Sequence, residues 1–269
     1  MIDPSAVDFG KTAGDYARHR AGFPEELFER LAGFGVGLPG QRVVDLGTGA
    51  GTMARGFAAR GCLATGIDIA PALLEEARRL AAGEGRAVEF RLAAAEQTGL
   101  PGESFDGVAA GQCWHWFDRP RAAQEVRRLL VPGGWLLIAH FNWIPLPGNV
   151  AEATEQLIEH HNPAWGLGGG SGVHPAWLRD VALAGFRHIE TFSFDTEAPY
   201  THSGWRARIR ASAGVGASLP AERVARFDQE LRGLLEERFP AEPLSVPHRV
   251  FALICRSPVT AAGLAGGNP

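Results

Sequence analysis

From Gln41 onward, short apolar runs alternate with stretches in which apolar positions recur every three or four residues. RVVDLG, CLATGID, AVEFRLAA, FDGVAAG and GWLLIAHF read as strands, whereas MARGFAARG, APALLEEARRLAA and RPRAAQEVRRLLV read as helices. This alternation predicts parallel strands joined by right-handed crossovers, hence a doubly wound, mostly parallel α/β sheet. Pro71 suits a first helical turn, and Leu73, Leu74, Ala77 and Leu80 lie at helical spacing for packing on the sheet. Pro132, Gly133 and Gly134 predict a tight turn that starts the fifth strand.

Ahead of the sheet, DYARHRAGFPEELFERLAGF predicts one or two helices broken near Gly22 and Pro24. Beyond the fifth strand the rhythm changes. NVAEATEQLIEHH predicts a helix, and the glycine-rich WGLGGGSGVH predicts an irregular loop that could serve as a mobile lid. HPAWLRDVALAGF then predicts a helix ending at Gly185, and RHIETFSF a strand. A later amphipathic helix should carry Val224, Phe227, Leu231, Leu234 and Phe239 on one face, before HRVFALICR returns to the sheet. The expected partition is cap helices over 1–40, a ligand-binding core over 41–142, a cap or lid insertion over 143–174 and a core helix and strand over 175–194. A second cap insertion over 195–247, a last core strand over 248–257 and a disordered tail over 258–269 complete it. Insertions at the carboxyl ends of late strands are where a doubly wound sheet builds a second wall over its ligand crevice.

The 269 residues, 45% hydrophobic and 21% charged, suit one large α/β domain or a domain with an elaborated cap. Cys62, Cys113 and Cys255 are scattered and odd in number, which argues against a disulfide framework and for a reducing, cytoplasmic compartment. No basic leader and no bilayer-length apolar run are visible, so a soluble protein without a membrane partner is expected, as a monomer or homodimer. The formal net charge of −4 offers no field for nucleic acid. Lys11 is the only lysine, which disfavours Schiff-base chemistry.

VVDLGTGAG places Asp45 ahead of Gly47, Gly49 and Gly51. A dinucleotide fingerprint would put its third glycine at position 52, which is Thr52. A carboxylate at Asp45 repels a pyrophosphate and attracts an ammonium or sulfonium. Asp68, 23 residues on, ends the second strand, where an acid can accept both hydroxyls of a ribose. S-adenosylmethionine has the matching character, being cationic and free of phosphate.

With these residues in place, VVDLGTGAGTMARGFAARG and TGIDIAPALLEEAR resemble the class I S-adenosylmethionine-dependent methyltransferases. The resemblance continues through LAAAEQTGLPGESFDGVAAG and RRLLVPGGWLLIAH, covering about residues 9 to 140. DYARHRAGFP and QCWHWFD are similar to motifs of the small-molecule branch that includes trans-aconitate methyltransferases. The resemblance implies a seven-stranded Rossmann-like sheet with helical cap insertions. It implies that Tyr16 and Arg20 close over the methionyl end, that Gly47 and Gly49 line the cofactor, that Asp68 holds the ribose, and that Ala95 and Glu96 border the adenine. Thr48, Ile69 and Gln112 complete the expected cofactor contacts. The family's acid before Ala95 is replaced by Ala94, which leaves the adenine amino group to Glu96 or a backbone carbonyl.

Methyl transfer needs a base only when the nucleophile is protonated. His115, just beyond the fourth strand, and His140, at the end of the fifth, are the candidates; each could instead serve only as a wall or a structural donor. Trp116, Asn142, Trp143, Trp165 and Trp205 are candidates for an aromatic acceptor pocket, with core packing the alternative for the tryptophans. His160, His161 and His174 lack a ligand spacing, so no metal site is expected and a solvated helix end is the simpler reading. Glu152, Glu155 and Glu159 read as an exposed helical face, with attraction of a cationic substrate the alternative. The expected function is methyl transfer to oxygen or nitrogen, less so carbon, of a small organic acceptor, in the manner of bacterial secondary-metabolite tailoring. The rivals are a protein that binds the cofactor without methylating, an NAD-dependent oxidoreductase and an RNA methyltransferase.

Overall fold

The computed structural model describes residues 22–259. Tyr16, Arg20, the start of the predicted N-terminal helices and the tail from 260 therefore lie outside the described residues. The described elements are, in order, α1 (Glu25–Gly33), β1 (Arg42–Leu46), α2 (Thr52–Ala59), β2 (Leu63–Asp68), α3 (Pro71–Gly83), β3 (Val88–Leu92) and β4 (Phe105–Gly111). There follow a 3-10 turn (Trp114–Trp116), α4 (Arg119–Leu129), β5 (Leu130–Trp143), α5 (Val150–His161), α6 (Ala176–Leu183), β6 (Arg187–Tyr200), α7 (His202–Arg210), α8 (Ala221–Arg238) and β7 (Leu244–Arg256).

The seven strands form one sheet in the order β3-β2-β1-β4-β5-β7-β6. β1 pairs in parallel with β2 and with β4, β2 with β3, and β4 with β5. The order therefore reverses between β1 and β4, and the crevice of such a sheet opens at the carboxyl ends of those two strands. Helix α3 shows why the local sequence suffices for its own placement. Pro71 occupies its first turn, and Leu73, Leu74, Ala77 and Ala81 form the buried stripe, with Leu80 at its margin.

The start of β5 differs from expectation. No turn separates it from α4; the strand begins at Leu130, and Pro132, Gly133 and Gly134 form an irregularity within it. Phe105 pairs with Leu130 but Gly107 pairs with Trp135, so two steps on β4 face five on β5. Gly133 takes the positive φ of 77° that this extra length requires. The slack carries the Trp135 indole over Gly107, where a Cβ would come within 2.0 Å of the ring.

Two compact units emerge from the contacts. One comprises Phe23–His140, His174–Phe192 and the chain from Phe251. Its main core includes Val44, Leu46, Val108, Trp114, Val126, Leu136, Ile138, Trp177 and Phe251. The other comprises Phe141–Val173 and Ser193–Val250, in which α8 packs on α5 and α7. Its long helix buries Phe227, Leu231 and Leu235; Val224 and Leu234 sit at the edge, and Phe239 lies just past the helix end. Among the described residues, no helix is long and apolar enough to cross a membrane.

Candidate active site

Between β1 and α2 the backbone passes through three left-handed residues, Gly47 (φ 61°), Gly49 (φ 55°) and Gly51 (φ 78°). That region costs an L residue about 1–2 kcal/mol, so the alternate glycines of VVDLGTGAG are a backbone requirement. The turn is held by Thr48 N–H donating to Ile67 O (2.9 Å) and Gly51 N–H donating to Thr48 O (2.8 Å). At Gly47 a side chain is also excluded by proximity, since a Cβ would stand 2.9 Å from Cys113 Cβ and Sγ. Helix α2 starts without a side-chain cap, leaving N–H groups and the positive end of its dipole at the crevice.

Two carboxylates bracket this turn. Asp45 is 1% exposed; its Oδ2 accepts from Thr48 Oγ1 (2.5 Å) and Ala54 N–H (3.1 Å). Its Oδ1 meets no hydrogen-bond donor among the described residues. Burial pushes the Asp45 carboxyl up to about 7, against the two hydrogen bonds and with a small contribution from Asp68. Such an oxygen can be completed by a cationic donor or by the carboxyl's own proton. Asp68 ends β2, and its Oδ2 accepts from Gly49 N–H (2.8 Å) while its Oδ1 accepts from Ala70 N–H (2.9 Å). Burial raises its pKa and the backbone donors oppose that rise. Gly49, Ala70 and Ile69 donate to this carboxylate, whose two oxygens offer about four lone-pair directions and so keep room for a hydroxyl.

Beside Asp68, Ile69 is 73% exposed, an apolar surface at the carboxyl end of β2. Ala95 is buried, in a segment fixed by Glu125, which accepts from both Thr98 N–H (2.9 Å) and Thr98 Oγ1 (2.5 Å). Glu96 Oε1 accepts from Asp118 N–H (2.9 Å), so this acid holds the entry to α4. Gln112 leaves β4 with φ 62°, an uncommon conformation for a residue with a side chain, and donates its N–H to Ala139 O (2.8 Å).

The 3-10 turn after Gln112 lies against the glycine turn, because the Cys113 thiol donates to Leu46 O (3.0 Å). Trp114 is a core anchor: it is wholly buried, and its indole N–H reaches Asp180 (3.3 Å). Its neighbours His115 and Trp116 are half-buried, with ring centres 4.5 Å apart. His115 lies 5.1 Å from His140, and His140 lies 4.6 Å from His174. His174 stacks on Trp177 at 4.0 Å with the planes 5° apart. Sequence reasoning had grouped His174 with His160 and His161, yet it belongs with the strand-end histidines. No signal within the local sequence links residues 115, 140 and 174.

The other predicted positions separate. His160 is exposed on α5, but His161 is buried and contacts Glu230 of α8 (3.0 Å), which corrects the expectation of a solvated helix end. No group of metal-ligating side chains occurs among the described residues. Glu155 is likewise buried, not on an exposed face: it accepts from Trp143 Nε1 (2.7 Å) and Gly169 N–H (2.7 Å). That bond ties the glycine-rich loop to α5. Trp205 is completely buried, with its indole N–H on Thr154 Oγ1 (3.0 Å), and Trp165 is buried too, so both pack the interior of their unit. Asn142 and Trp143 are half-buried.

A sheet reversing between β1 and β4, a left-handed glycine turn and two flanking acids together form the candidate site. Residues 44–138 match the family model described as a methyltransferase domain. An uncharacterized methyltransferase of Mycobacterium bovis is 35% identical over 131 residues, 49% of this chain and 51% of the relative. The chain thus spans about half the length of that relative. The ubiquinone biosynthesis O-methyltransferase of Xanthomonas oryzae pv. oryzae is 29% identical over 65% of this chain and 72% of its own. Among solved structures, phosphoethanolamine N-methyltransferase 2 of Haemonchus contortus, in complex with phosphomonomethylethanolamine and S-adenosylhomocysteine, superposes with a TM-score of 0.58. It is 20% identical, over 96% of this chain and 61% of that one, a likeness of fold. From within β1 into β5, residues 44–138, the chain is thus similar to the methyltransferase domain family.

Proposed function

We propose that the protein transfers a methyl group from S-adenosylmethionine to an oxygen or nitrogen of a small organic acceptor. The observation that carries this reading is the pairing of the glycine turn with Asp45, a buried carboxylate whose Oδ1 has no donor among the described residues. Phosphate would be repelled there, whereas an ammonium completes the site. Asp45, with the uncapped start of α2, would hold the methionyl end, Asp68 the ribose hydroxyls, and Ile69 with Ala95 the faces of the adenine. Gln112 borders the same crevice. Glu96 Oε1 accepts from Asp118 N–H, so its other oxygen or a backbone carbonyl would take the adenine amino group.

When bound, the cofactor supplies an electrophilic methyl carbon on a sulfonium. His115 would take the proton of the acceptor hydroxyl or amine as that atom is methylated. Holding the two reactants in line supplies up to about 7–11 kcal/mol of the acceleration. A cytoplasmic role in the biosynthesis of small metabolites fits this chemistry, and a branch like the trans-aconitate methyltransferases is one form of it.

Calorimetric titration with S-adenosylhomocysteine, with NAD as control, tests the reading. Micromolar binding of the first and none of the second is expected; binding of NAD alone would overturn it. Turnover of labelled S-adenosylmethionine on an acceptor panel then separates a methyltransferase from a protein that only binds the cofactor.

A further inference from the structure

We propose that His174 is an acceptor-contacting residue and that the surface it completes selects an uncharged, hydroxyl-bearing planar acceptor over a carboxylate. The inference rests on the methyltransferase reading and deepens it. The Nε2 of His174 is buried and has no hydrogen-bond partner among the described residues. Buried polar atoms are rarely left in that state, and this one is open to a hydrogen-bonding group brought by a ligand. The ring cannot turn freely to find another partner, because it lies flat on Trp177 at 4.0 Å. Phe251 stands 5.6 Å away on its other contact.

The position is the reacting end of the crevice. His174 is 4.6 Å from His140, which is 5.1 Å from His115, and the turn carrying His115 begins at Cys113, whose thiol is bonded to Leu46 O beside the glycine turn. The ring neighbours of His174 among the described residues are His140, Trp177 and Phe251, all aromatic. Trp116 extends the same row beyond His115. Of the two ionic groups on α6, Arg179 is exposed and Asp180 is engaged by Trp114 and Arg119. Burial, with no charged partner contributing, pushes the imidazole of His174 down to about 4. A neutral imidazole donates or accepts one hydrogen bond but offers no charge to neutralise a carboxylate. The row of flat rings favours a planar group stacking against it.

The test uses the full chain, labelled with 15N-histidine and saturated with S-adenosylhomocysteine. It is titrated with catechol and, in parallel, with trans-aconitate. Catechol is expected to shift the His174 Nε2 resonance, and trans-aconitate to leave it in place. His174→Phe, which keeps a ring on Trp177 without the nitrogen, should weaken catechol binding by about three- to tenfold, and His174→Gln should recover part of the loss. If His174→Phe fails to fold, the wild-type resonances and the glutamine variant decide. A His174 resonance unmoved by catechol, tighter binding of trans-aconitate with a shift at His174, or unchanged catechol affinity in both variants would each overturn the proposal. Saturation with S-adenosylhomocysteine is measured first, so its failure would remove the cofactor reading, and this inference with it, before either probe is added.

Discussion

If Asp45 holds the methionyl ammonium, cofactor binding must be coupled to its proton. The carboxyl stands at about 7 against an ordinary 3.8, a rise of about three units, or about 4 kcal/mol against ionisation inside the fold. The folded chain therefore keeps a proton between these two values that the unfolded chain has lost. Its contribution to stability declines as pH rises through that window and is constant above about 7. A cation seated against Oδ1 favours the ionised form, so binding releases the proton below about pH 7. Affinity for S-adenosylhomocysteine should then be about tenfold weaker at about pH 6 than at about pH 8. Titrations at the lower pH in buffers of different ionisation enthalpy should report release of nearly one proton. Asp45→Asn, whose amide oxygen can still accept from Ala54 N–H, should bind more weakly at the higher pH and lose the pH dependence. Equal affinity at both pH values, or an unchanged pH profile in Asp45→Asn, would refute the assignment of Asp45 to the ammonium.

Asp68→Ala removes a charged partner of the ribose and the acceptor of Gly49 N–H, so S-adenosylhomocysteine affinity should fall by about tenfold or more in calorimetry. His115→Ala should lower turnover by about a hundredfold or more while leaving the affinity for S-adenosylhomocysteine within about twofold; parallel loss of both would assign the residue to the cofactor wall. Gly107→Ala would drive a Cβ to within 2.0 Å of the Trp135 ring and should cost about 1–3 kcal/mol or more in denaturant unfolding, with no direct effect on the crevice residues.

What could be read from the chain followed the range of the forces involved. The turn at Gly47, Gly49 and Gly51 was legible because a left-handed backbone is a requirement each residue meets locally. The strand and helix order, the first turn at Pro71 and the roles open to Asp45 and Asp68 rest on the same kind of information, contained in a few contiguous residues. The irregularity at Pro132–Gly134 was half legible: the residues announce a bend, but only pairing with β4 shows that the bend lies inside a strand. Charged and aromatic side chains of the insertions were misjudged for a related reason. Glu155 and His161 look solvent-facing on α5 by composition, and become interior only when Trp143, Gly169 and Glu230 supply their partners.

By itself the sequence determined the backbone of the cradle, the elements that carry it and the charge at its rim, since these depend on neighbours within one turn or one strand. Tertiary structure alone decided that His115, His140 and His174 form one row of rings, that Trp205 is interior and that Glu96 is committed to α4. The reason is topological. Reversal of strand order at β1 and β4 and the long return through β6 and β7 set far-separated residues side by side, and that proximity leaves no trace in the spacing of either partner.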